Sequence, residues 1–327
     1  MTKYTFLTYK NQRYMSESLR LRRYVLSKIR EFFERRRYIE TETPYIVRAV
    51  PPDPYIEPIH VYMDDEGPFF LHTSPEIHMK KILAKGFNRI FQICRTFRRE
   101  KKDELHTVEF TMLEWYREGN YMDTLKETEE LVEFLVSSLE KDFSIKRAFF
   151  PPFPIFDLES LFSDVMGVDI FSLDRDTLYQ ILKNKGVASV RTDDSWIDMF
   201  FKAFFEKIDT SLEKKTPYFL IGWPLDLSSM AKGKNQKAER FELYIEGVEI
   251  ANGYSELLDP EEQRKRFEKD NAQRKKMGKK EIPIDEDFIL CLSRIKGEYS
   301  GVALGVDRLI MVLAGEKNIE NVMPFIV

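Results

Sequence analysis

The sequence predicts an α+β domain in which helices alternate with antiparallel hairpins. Two stretches alternate between faces with the period of two that is typical of strands, and a short Glu-Gly turn further along the chain indicates a second hairpin. Other segments repeat apolar residues with the 3.6-residue period of amphipathic helices. The chain of 327 residues is 43% hydrophobic and 13% aromatic, which supplies a large core and excludes intrinsic disorder. A chain of this length allows two domains or one large domain.

Charge and cysteine content narrow the class of protein. The formal net charge of −4 argues against a protein held on nucleic acid by bulk charge. Two cysteines, Cys94 and Cys291, cannot form a disulfide framework, which suits a reducing compartment. Charged residues interrupt residues 1–33 every few positions, and no run anywhere reaches about 18 apolar residues. These features predict a soluble cytoplasmic protein with neither a signal peptide nor a membrane span.

The first predicted element is an amphipathic helix over about 16–38. Its apolar residues recur at helical spacing among charged residues, and they are Leu21, Val25, Ile29, Phe32 and Phe33. The four prolines within residues 49–60 predict a loop. A second helix is predicted to begin with Ser74 as its cap and Pro75 at its first position, and to end near Gly86.

The first antiparallel hairpin is predicted in residues 92–116. One strand places alternate residues on one face, namely Gln92, Cys94, Thr96, Arg98 and Glu100. The next strand does the same with Val108, Phe110, Met112, Glu114 and Tyr116. The polar and charged residues 99–107 between them predict a long connecting loop.

The second hairpin is predicted around the two-residue turn Glu246–Gly247. Such a turn places Tyr244 opposite Glu249. It also places Glu242 opposite Ala251, and opposed residues share a face of the sheet. Glu242 and Glu249 are therefore expected to point to the same side.

The remaining segments are mostly helical. Helices are predicted over about 121–139 and 175–210, and the second lies within a helical insertion predicted at about 155–215. The basic stretch 260–280 is either a solvated helix or a docking surface for an acidic partner. Small residues at 301–305 predict a strand that leads directly into a helix over 306–314.

Polar and charged residues collect on one face of the two hairpins. They are Arg98, Glu100, Glu114, Tyr116, Glu242 and Glu249. A solvated outer face would explain one such strand, but two hairpins with the same acidic pattern favour a functional surface. Paired carboxylates suit a hard cation such as Mg²⁺, and arginines grip phosphate oxygens. Because no G-x-x-x-x-G-K-[ST] motif occurs, the pattern indicates nucleotide phosphate chemistry without a P-loop.

Several segments resemble the motifs of class II aminoacyl-tRNA synthetases, the lysyl enzymes most closely. FQICRTFRRE at 91–100, with His106 and EFTMLEWY at 109–116, resembles motif 2. GVALGVDRL at 301–309 looks like motif 3. EIANGYSEL at 249–257 matches the segment that forms the lysine pocket.

The resemblance covers about residues 16–325 and implies that residues 1–327 form a single catalytic domain. It implies a class II catalytic core, an antiparallel sheet flanked by helices, with motif 1 at about 20–44. Motif 2 then falls at about 90–116 and motif 3 at about 300–315. Since motif 1 is the dimerisation element of this class, the resemblance also implies a homodimer.

Only about 15 residues precede the motif 1 helix, so no anticodon-binding OB-fold is expected. The chain therefore resembles the short paralogues of the lysyl enzymes, the elongation factor P–(R)-β-lysine ligases. Ser74 and Ala303 stand where lysyl enzymes often have alanine and glycine, and the methyl group of Ala303 is expected to narrow the amino-acid pocket. The resemblance implies that ATP and Mg²⁺ activate (R)-β-lysine or lysine, which is transferred to elongation factor P and not to tRNA.

The resemblance also implies a role for each matching residue. Two residues are expected to be catalytic. Arg98 would bind the α-phosphate and the substrate carboxylate, and Arg308 would bind the γ-phosphate. ATP is expected to contact Arg98, Arg99, Glu100, His106, Thr107, Phe110, Glu249, Ile250, Gly305 and Arg308. The amino acid is expected to contact Ser74, Pro75, Glu76, Glu114, Tyr116, Asn252, Tyr254, Glu256 and Ala303. Mg²⁺ is expected at Glu242 and Glu249.

Within these sets the roles differ in detail. Glu100 is expected to bind the adenine amino group and Phe110 to stack on adenine, with His106 near the phosphates. The distal ammonium of the amino acid is expected at Glu256 and Tyr116. The other amine is expected at Glu76 and Glu114, and the carboxylate at Asn252. The family has asparagine at the positions of Arg99 and Thr107; Arg99 falls on the opposite strand face and Thr107 retains one hydrogen-bond donor.

Three other functions fit parts of the pattern. A related enzyme without an anticodon domain could acylate tRNA. An ammonia-using asparagine synthetase also lacks that domain, but it needs a cationic group where this chain has Glu256. A non-catalytic lysine-binding paralogue is expected to have lost Arg98, Arg308 or the pair Glu242 and Glu249, all of which are present.

Overall fold

The computed structural model describes residues 9–63, 66–143 and 149–325. Residues 1–8, the start of the segment 1–33 that is predicted to hold no signal peptide, lie outside these ranges. The helices are α1 (Tyr9–Arg35), α2 (Glu76–Leu83), α3 (Tyr121–Asp142), α4 (Leu158–Met166), α5 (Arg175–Asn184), α6 (Trp196–Ala203), α7 (Pro260–Lys276), α8 (Glu286–Leu292) and α9 (Val306–Ala314). The strands are β1 (Ile39–Glu40), β2 (Ile46–Val47), β3 (Ile59–Met63), β4 (Glu66–Leu71), β5 (Arg89–Phe97), β6 (Glu109–Glu118), β7 (Ile155–Asp157), β8 (Tyr218–Ile221), β9 (Gly233–Lys234), β10 (Lys237–Ala238), β11 (Arg240–Ile245), β12 (Val248–Ser255) and β13 (Tyr299–Gly305).

An eight-stranded sheet in the order β1-β5-β6-β13-β12-β11-β8-β7 forms the centre of the fold. All neighbouring strands pair antiparallel except at the two edges, where β1 runs parallel to β5 and β7 runs parallel to β8. The strands β2, β4 and β3 form a separate small antiparallel sheet. The predicted α+β class, with a mostly antiparallel sheet flanked by helices, is confirmed.

The main core lies on one face of the sheet. There the predicted apolar residues of α1 pack with α3, α9 and alternate strand residues such as Leu113, Trp115 and Leu243. Because successive strand residues point to opposite faces, the residues between them, among them Glu114 and Glu242, project to the other side. That second face carries the candidate site.

In the first hairpin, the polar residues of the two strands share one face of the sheet, as predicted. Gln92 pairs with Glu114, and Thr96 pairs with Phe110, so the two polar sets lie on one face. Regular pairing ends at Phe97. The backbone N–H of Arg98 still donates to the carbonyl of Val108 at 3.0 Å, which brings Arg98 to the end of the same face.

The register predicted for the second hairpin is partly wrong. Tyr244 lies opposite Glu249 as expected, but Glu242 lies opposite Asn252 rather than Ala251. The physical reason is a β-bulge in which Ile250 is an extra residue between Glu249 and Ala251. Glu242 and Glu249 still share a face through Tyr244. Because of the extra residue, the side chains after the bulge point to the opposite face from the one that ideal pairing predicts. Asn252 therefore lies on the same face as Glu242 and Glu249.

Two helix boundaries differ from the predictions. Helix α1 is already formed at Tyr9, so residues 16–18 lie within it, and it ends at Arg35 instead of residue 38. Helix α2 begins at Glu76, and Pro75 precedes its first turn. The hydroxyl of Ser74 accepts a hydrogen bond from the backbone N–H of Glu76 at 3.0 Å, which satisfies one amide at the start of the helix.

The predicted helical insertion starts with a strand. Residues 155–157 form β7 at the sheet edge, and α4, α5 and α6 follow with short irregular helical turns between residues 167 and 211. These helices share a second core with Tyr218, Leu220 and Trp223. Since Leu220 lies opposite Glu242, this core covers the site face of the sheet at the β7 edge.

The basic stretch forms helix α7, but it is not simply a solvated helix. Arg274 is buried, and its guanidinium donates to the carbonyl oxygens of Asp53 and Ile56 and pairs with Glu57. Helix α7 therefore holds the proline-rich loop of residues 49–58 in place.

No helix among the described residues has both the length and the apolar character that a membrane span needs.

Candidate active site

A cavity of about 310 Å³ opens on the second face of the sheet. It is lined by Pro51, Asp53, Ile56, Thr73, Ser74, Glu76, Arg98, Glu114, Tyr116, Leu227, Ser228, Ser229, Met230, Arg240, Glu242, Glu249, Asn252, Tyr254, Gly301, Val302 and Ala303. The lining combines residues from four segments predicted for the amino acid with the two predicted metal ligands and Arg98. Residues that are more than 200 positions apart in the chain therefore meet in one cavity.

Arg98 directly follows the last residue of β5 and lines this cavity. Its guanidinium carbon is 5.3 Å from the centre of the Phe110 ring, and its Nε donates to the carbonyl of Thr73 at 3.3 Å. The ring and the carbonyl orient the guanidinium without neutralising its charge. Arg98 is therefore free to bind an anionic group.

Two buried carboxylates, Glu76 and Glu114, line the cavity on the side of α2 and β6. Both oxygens of Glu114 accept hydrogen bonds from neutral hydroxyls, from Tyr116 at 2.6 Å and from Ser74 at 2.7 Å. Glu76 accepts from the hydroxyl of Tyr254. Burial, and secondly the charge of Glu76, raise the pKa of Glu114 well above its usual value. Such a pair favours an ammonium ligand, which would restore the ionised form of Glu114.

Glu256 is buried close to these carboxylates but does not line the cavity. It forms an ion pair with Lys80, which also lies 2.6 Å from Glu76. Burial raises the pKa of Glu256, and Lys80 opposes this effect. The role predicted for Glu256, contact with the distal ammonium, thus involves a carboxylate that already has a cationic partner.

Glu242, one of the two predicted metal ligands, also has partners within the protein. It pairs with Arg240, and its other oxygen accepts a hydrogen bond from the hydroxyl of Tyr244 at 2.7 Å. Burial raises the pKa of Glu242 to about 7, and although Arg240 lowers it, the charge of Glu249 raises it further. A cation between the two carboxylates would relieve that repulsion.

Arg240 also orients Asn252. Its Nε donates to Oδ1 of Asn252 at 3.0 Å, and a second nitrogen donates to the carbonyl of Leu227 at 2.7 Å. Because Oδ1 is the acceptor, the amide nitrogen of Asn252 remains available as a donor. This orientation suits the predicted contact between Asn252 and a carboxylate.

A second group of predicted residues surrounds Arg308, in the first turn of α9. Arg308 donates to the carbonyl of Glu249 at 3.1 Å, and one of its terminal nitrogens lies 2.8 Å from Nε2 of His106. Nδ1 of His106 lies 2.9 Å from Asp103, and Nε2 lies 3.8 Å from the carboxylate of Glu100. The loop after β5 and the start of α9 therefore come together next to Glu249.

Several predicted ATP-contact residues lie away from the cavity. Thr107 is buried, and its hydroxyl donates to the carbonyl of Glu109 at 2.8 Å. Arg99 is exposed. Ile250 is the buried bulge residue, and Gly305 immediately precedes the first turn of α9. Pro75, predicted to contact the amino acid, is buried behind Ser74 and Glu76 and is not part of the lining.

Small residues of β13 form the sheet surface beneath the cavity. A Cβ atom at Gly301 would lie 2.3 Å from the Tyr116 ring and 2.6 Å from a carboxylate oxygen of Glu256, so only glycine allows these groups to approach. Ala303 lies between its two cross-strand partners, Glu114 and Asn252. Its methyl group therefore projects between the carboxylate and the amide predicted to bind the amino acid.

The two carboxylates Glu242 and Glu249 fit Mg²⁺. Among residues 9–63, 66–143 and 149–325, no three or more His, Cys, Asp or Glu residues cluster as a complete metal cage. Mg²⁺ needs no such cage, because it is usually bound by one or two carboxylates together with waters and substrate phosphates. Each oxygen of Glu242 also has a lone pair beyond those used by Arg240 and Tyr244.

The sequence-based prediction missed Lys80, Arg240, Tyr244 and the cavity wall formed by residues 51–56 and 227–230. Signals existed for two of them. Lys80 follows Glu76 by four positions on a predicted helix, and Arg240 precedes Glu242 by two positions on the same strand face. The wall segments carry no such local signal, because only long-range contacts bring them to the cavity.

Comparison with known proteins agrees with this geometry. The profile of the family described as tRNA synthetases class II (D, K and N) matches residues 1–326. The elongation factor P–(R)-β-lysine ligase of Vibrio atlanticus is 34% identical over 319 residues, which cover 94% of this chain and 95% of that protein. The ligase of Proteus mirabilis is 35% identical, with 92% of each chain covered. A homologue of this ligase in Aquifex aeolicus is also 35% identical, covering 90% of this chain and 95% of its own length.

Proposed function

The chain belongs to the class II tRNA synthetase family of the aspartyl, lysyl and asparaginyl type, and from this premise we propose that it ligates (R)-β-lysine, or lysine, to elongation factor P at the expense of ATP. The relatives named as elongation factor P–(R)-β-lysine ligases, similar over nearly their whole length, support this choice of reaction.

One observation carries the proposal. A single cavity is lined both by the cationic Arg98 and by the buried carboxylates Glu76 and Glu114. A lysine-like amino acid has the complementary groups, a carboxylate and two ammonium groups. The cavity therefore orients such a substrate with its carboxylate towards the nucleotide residues and its amines towards the carboxylates.

The proposed reaction has two steps. In the first, a carboxylate oxygen of the amino acid attacks the α-phosphorus of ATP, and pyrophosphate leaves as the acyl-adenylate forms. In the second, the ε-amine of a lysine on elongation factor P attacks the acyl carbon. An amide bond forms, AMP leaves, and the attacking nitrogen loses a proton.

The chain's residues act by positioning and by charge, without an enzyme nucleophile. Arg98 would hold the substrate carboxylate and the α-phosphate together and stabilise the negative charge of the transition state. Arg308, with His106 beside it, would hold the far end of the triphosphate. Glu242 and Glu249 would hold Mg²⁺, which when bound neutralises phosphate charge.

We also propose that the protein is a cytoplasmic homodimer that does not acylate tRNA. Ile39 on the edge strand β1 and Ile46 on β2 are each exposed over more than two fifths of their surface, which suits a subunit contact near α1. The net charge of −4 leaves little of the basic surface expected of a tRNA-binding protein. Buried, unpaired Cys94 and Cys291 suit a reducing cytoplasm.

The metal role of Glu249 leads to one prediction. Glu249→Gln is expected to raise the Mg²⁺ concentration for half-maximal activity about tenfold or more, because it removes one ligand of a hard-cation site. Mg²⁺ titrations of ATP–pyrophosphate exchange measure this. Glu298→Gln, which alters an exposed pair with Lys232, is the control. Identical titrations for Glu249→Gln and wild type would remove Glu249 from the metal site.

The amino acid and its acceptor are tested together. Wild type is expected to activate (R)-β-lysine better than α-lysine and to transfer it to elongation factor P, but not to tRNA. Ala303→Gly is expected to relax the amino-acid preference by about 1–3 kcal/mol, the value of one methyl-sized pocket contact. Radiolabel transfer from each amino acid to each acceptor measures both. Efficient charging of tRNA by wild type would favour the tRNA alternative, and an unchanged preference in the variant would remove Ala303 from the specificity pocket.

A further inference from the structure

Lys80 is a wholly buried lysine next to the amino-acid cavity, and the reaction proposed above gives it no role. Its ammonium lies 2.6 Å from Glu76 and pairs with Glu256, which belong to different segments of the chain. The ammonium also lies 5.6 Å from the centre of the Tyr254 ring. Burial disfavours a charged lysine, but the carboxylates of Glu256 and Glu76 outweigh burial and raise the pKa of Lys80. Lys80 is therefore a permanent cation.

The other titratable groups around this pair are acidic or neutral. Glu114 is the third buried carboxylate and raises the pKa of Glu256. Burial and the nearby carboxylates raise the pKa of the Tyr116 and Tyr254 hydroxyls, which keeps both neutral. The thiol of Cys291, on the side of α8, has a pKa raised by burial to about 11 and is neutral too. Lys80 is thus the cation that faces three buried carboxylates.

We propose that Lys80 is a positioning residue that joins Glu76 and Glu256 as one ammonium-binding unit for the amino acid. The inference rests on the proposed function. Lys80 pairs with Glu76 and Glu256, so one ammonium stands against the three buried acidic groups Glu76, Glu114 and Glu256, and two more cations are needed to balance them. A substrate with two ammonium groups matches that charge and forms a neutral buried complex, whereas an excess buried charge is strongly unfavourable.

The proposal predicts how the effect of Lys80 depends on pH. Without the cation, Glu256 takes up a proton more readily, because Lys80 lowers the pKa of Glu256 and an adjacent opposite charge favours the ionised form of a carboxyl group. A protonated carboxyl is a poor partner for an ammonium group. The loss of amino-acid binding in Lys80→Met should therefore be largest at low pH and should shrink as rising pH restores the carboxylates.

The experiment is ATP–pyrophosphate exchange between pH 6.5 and 9 with (R)-β-lysine and with lysine. At pH 6.5, Lys80→Met is expected to raise the KM for the amino acid about tenfold or more, the equivalent of one pKa unit, with little change in the KM for ATP. The ratio of the variant KM to the wild-type KM should fall steadily towards pH 9. Lys80→Arg keeps the charge and should show no such trend.

Lys81→Met is the matched control. Lys81 is the next residue on α2 and pairs with Asp285 at 2.7 Å, away from the cavity carboxylates. Its KM values should follow wild type at every pH. A ratio for Lys80→Met that does not change with pH would mean that Lys80 has only a structural role and would overturn the proposal.

A double variant covers the case in which Lys80→Met does not fold. Lys80→Met with Glu256→Gln removes both charges of the pair, and it should raise the KM for the amino acid at all pH values. A wild-type KM in the double variant would also overturn the proposal. If wild type exchanges pyrophosphate with neither amino acid, the proposed function itself fails. If wild type exchanges pyrophosphate and the KM of Lys80→Met equals that of wild type at every pH, only the role of Lys80 is rejected.

Discussion

Replacing Arg98 or Arg308 by alanine is expected to lower adenylate formation at least about 10²-fold, the usual effect of removing a preorganised charge stabiliser. The surroundings of Arg98 explain the size of the effect. Phe110 and the carbonyl of Thr73 orient its guanidinium, but no described carboxylate pairs with it, so its charge is available to the α-phosphate. Arg308 is oriented by the carbonyl of Glu249, and it also lies 3.8 Å from the carboxylate of Glu249.

ATP–pyrophosphate exchange with purified variants measures this loss. Arg95→Ala is the matched control, because Arg95 lies on the same strand as Arg98 but on the opposite face, where it pairs with Glu109. Its exchange rate should stay close to wild type. Variants of Arg98 and Arg308 that retain the wild-type circular dichroism spectrum and the wild-type exchange rate would contradict the proposed catalytic roles.

Arg22→Met is expected to lower the free energy of unfolding by about 3–5 kcal/mol, the cost of leaving a buried charge without its partner. Arg22 on α1 pairs with Asp307, the residue before Arg308, and both side chains are nearly inaccessible to solvent. Asp307 also accepts a hydrogen bond from the backbone N–H of Thr111 at 2.6 Å. This cluster joins motif 1, motif 2 and motif 3, so its loss affects the whole core.

Urea unfolding at one fixed protein concentration measures the change. Arg30→Met is the control, because Arg30 and Glu40 form an exposed pair whose loss should cost less than about 1 kcal/mol. Adding Asp307→Asn to Arg22→Met removes the unpaired charge and should recover part of the loss. A free energy of unfolding for Arg22→Met within about 1 kcal/mol of wild type would show that Asp307 finds another partner.

Periodicity in the sequence, together with the turn at Glu246–Gly247, was sufficient to predict the two hairpins and the helices of the core. The same signals predicted the face on which Arg98, Glu114, Glu242 and Glu249 meet. This succeeded because the alternation of side chains along a strand is a local property that each segment carries by itself. The motif 3 strand and the helix after it were predicted from another local feature, the run of small residues at 301–305. The motifs, read in order, were enough to identify the family.

Only the tertiary structure determined which distant segments meet and which of their side chains pair. The bulge at Ile250 depends on how β12 pairs with two neighbours, and it brings Asn252 onto the site face where ideal pairing would not. Lys80 meets Glu256 across 176 positions of chain, and Arg274 holds the loop at residues 49–58 from a distant helix. No local pattern encodes such pairings, because a buried charge is satisfied by whichever segment packing places beside it.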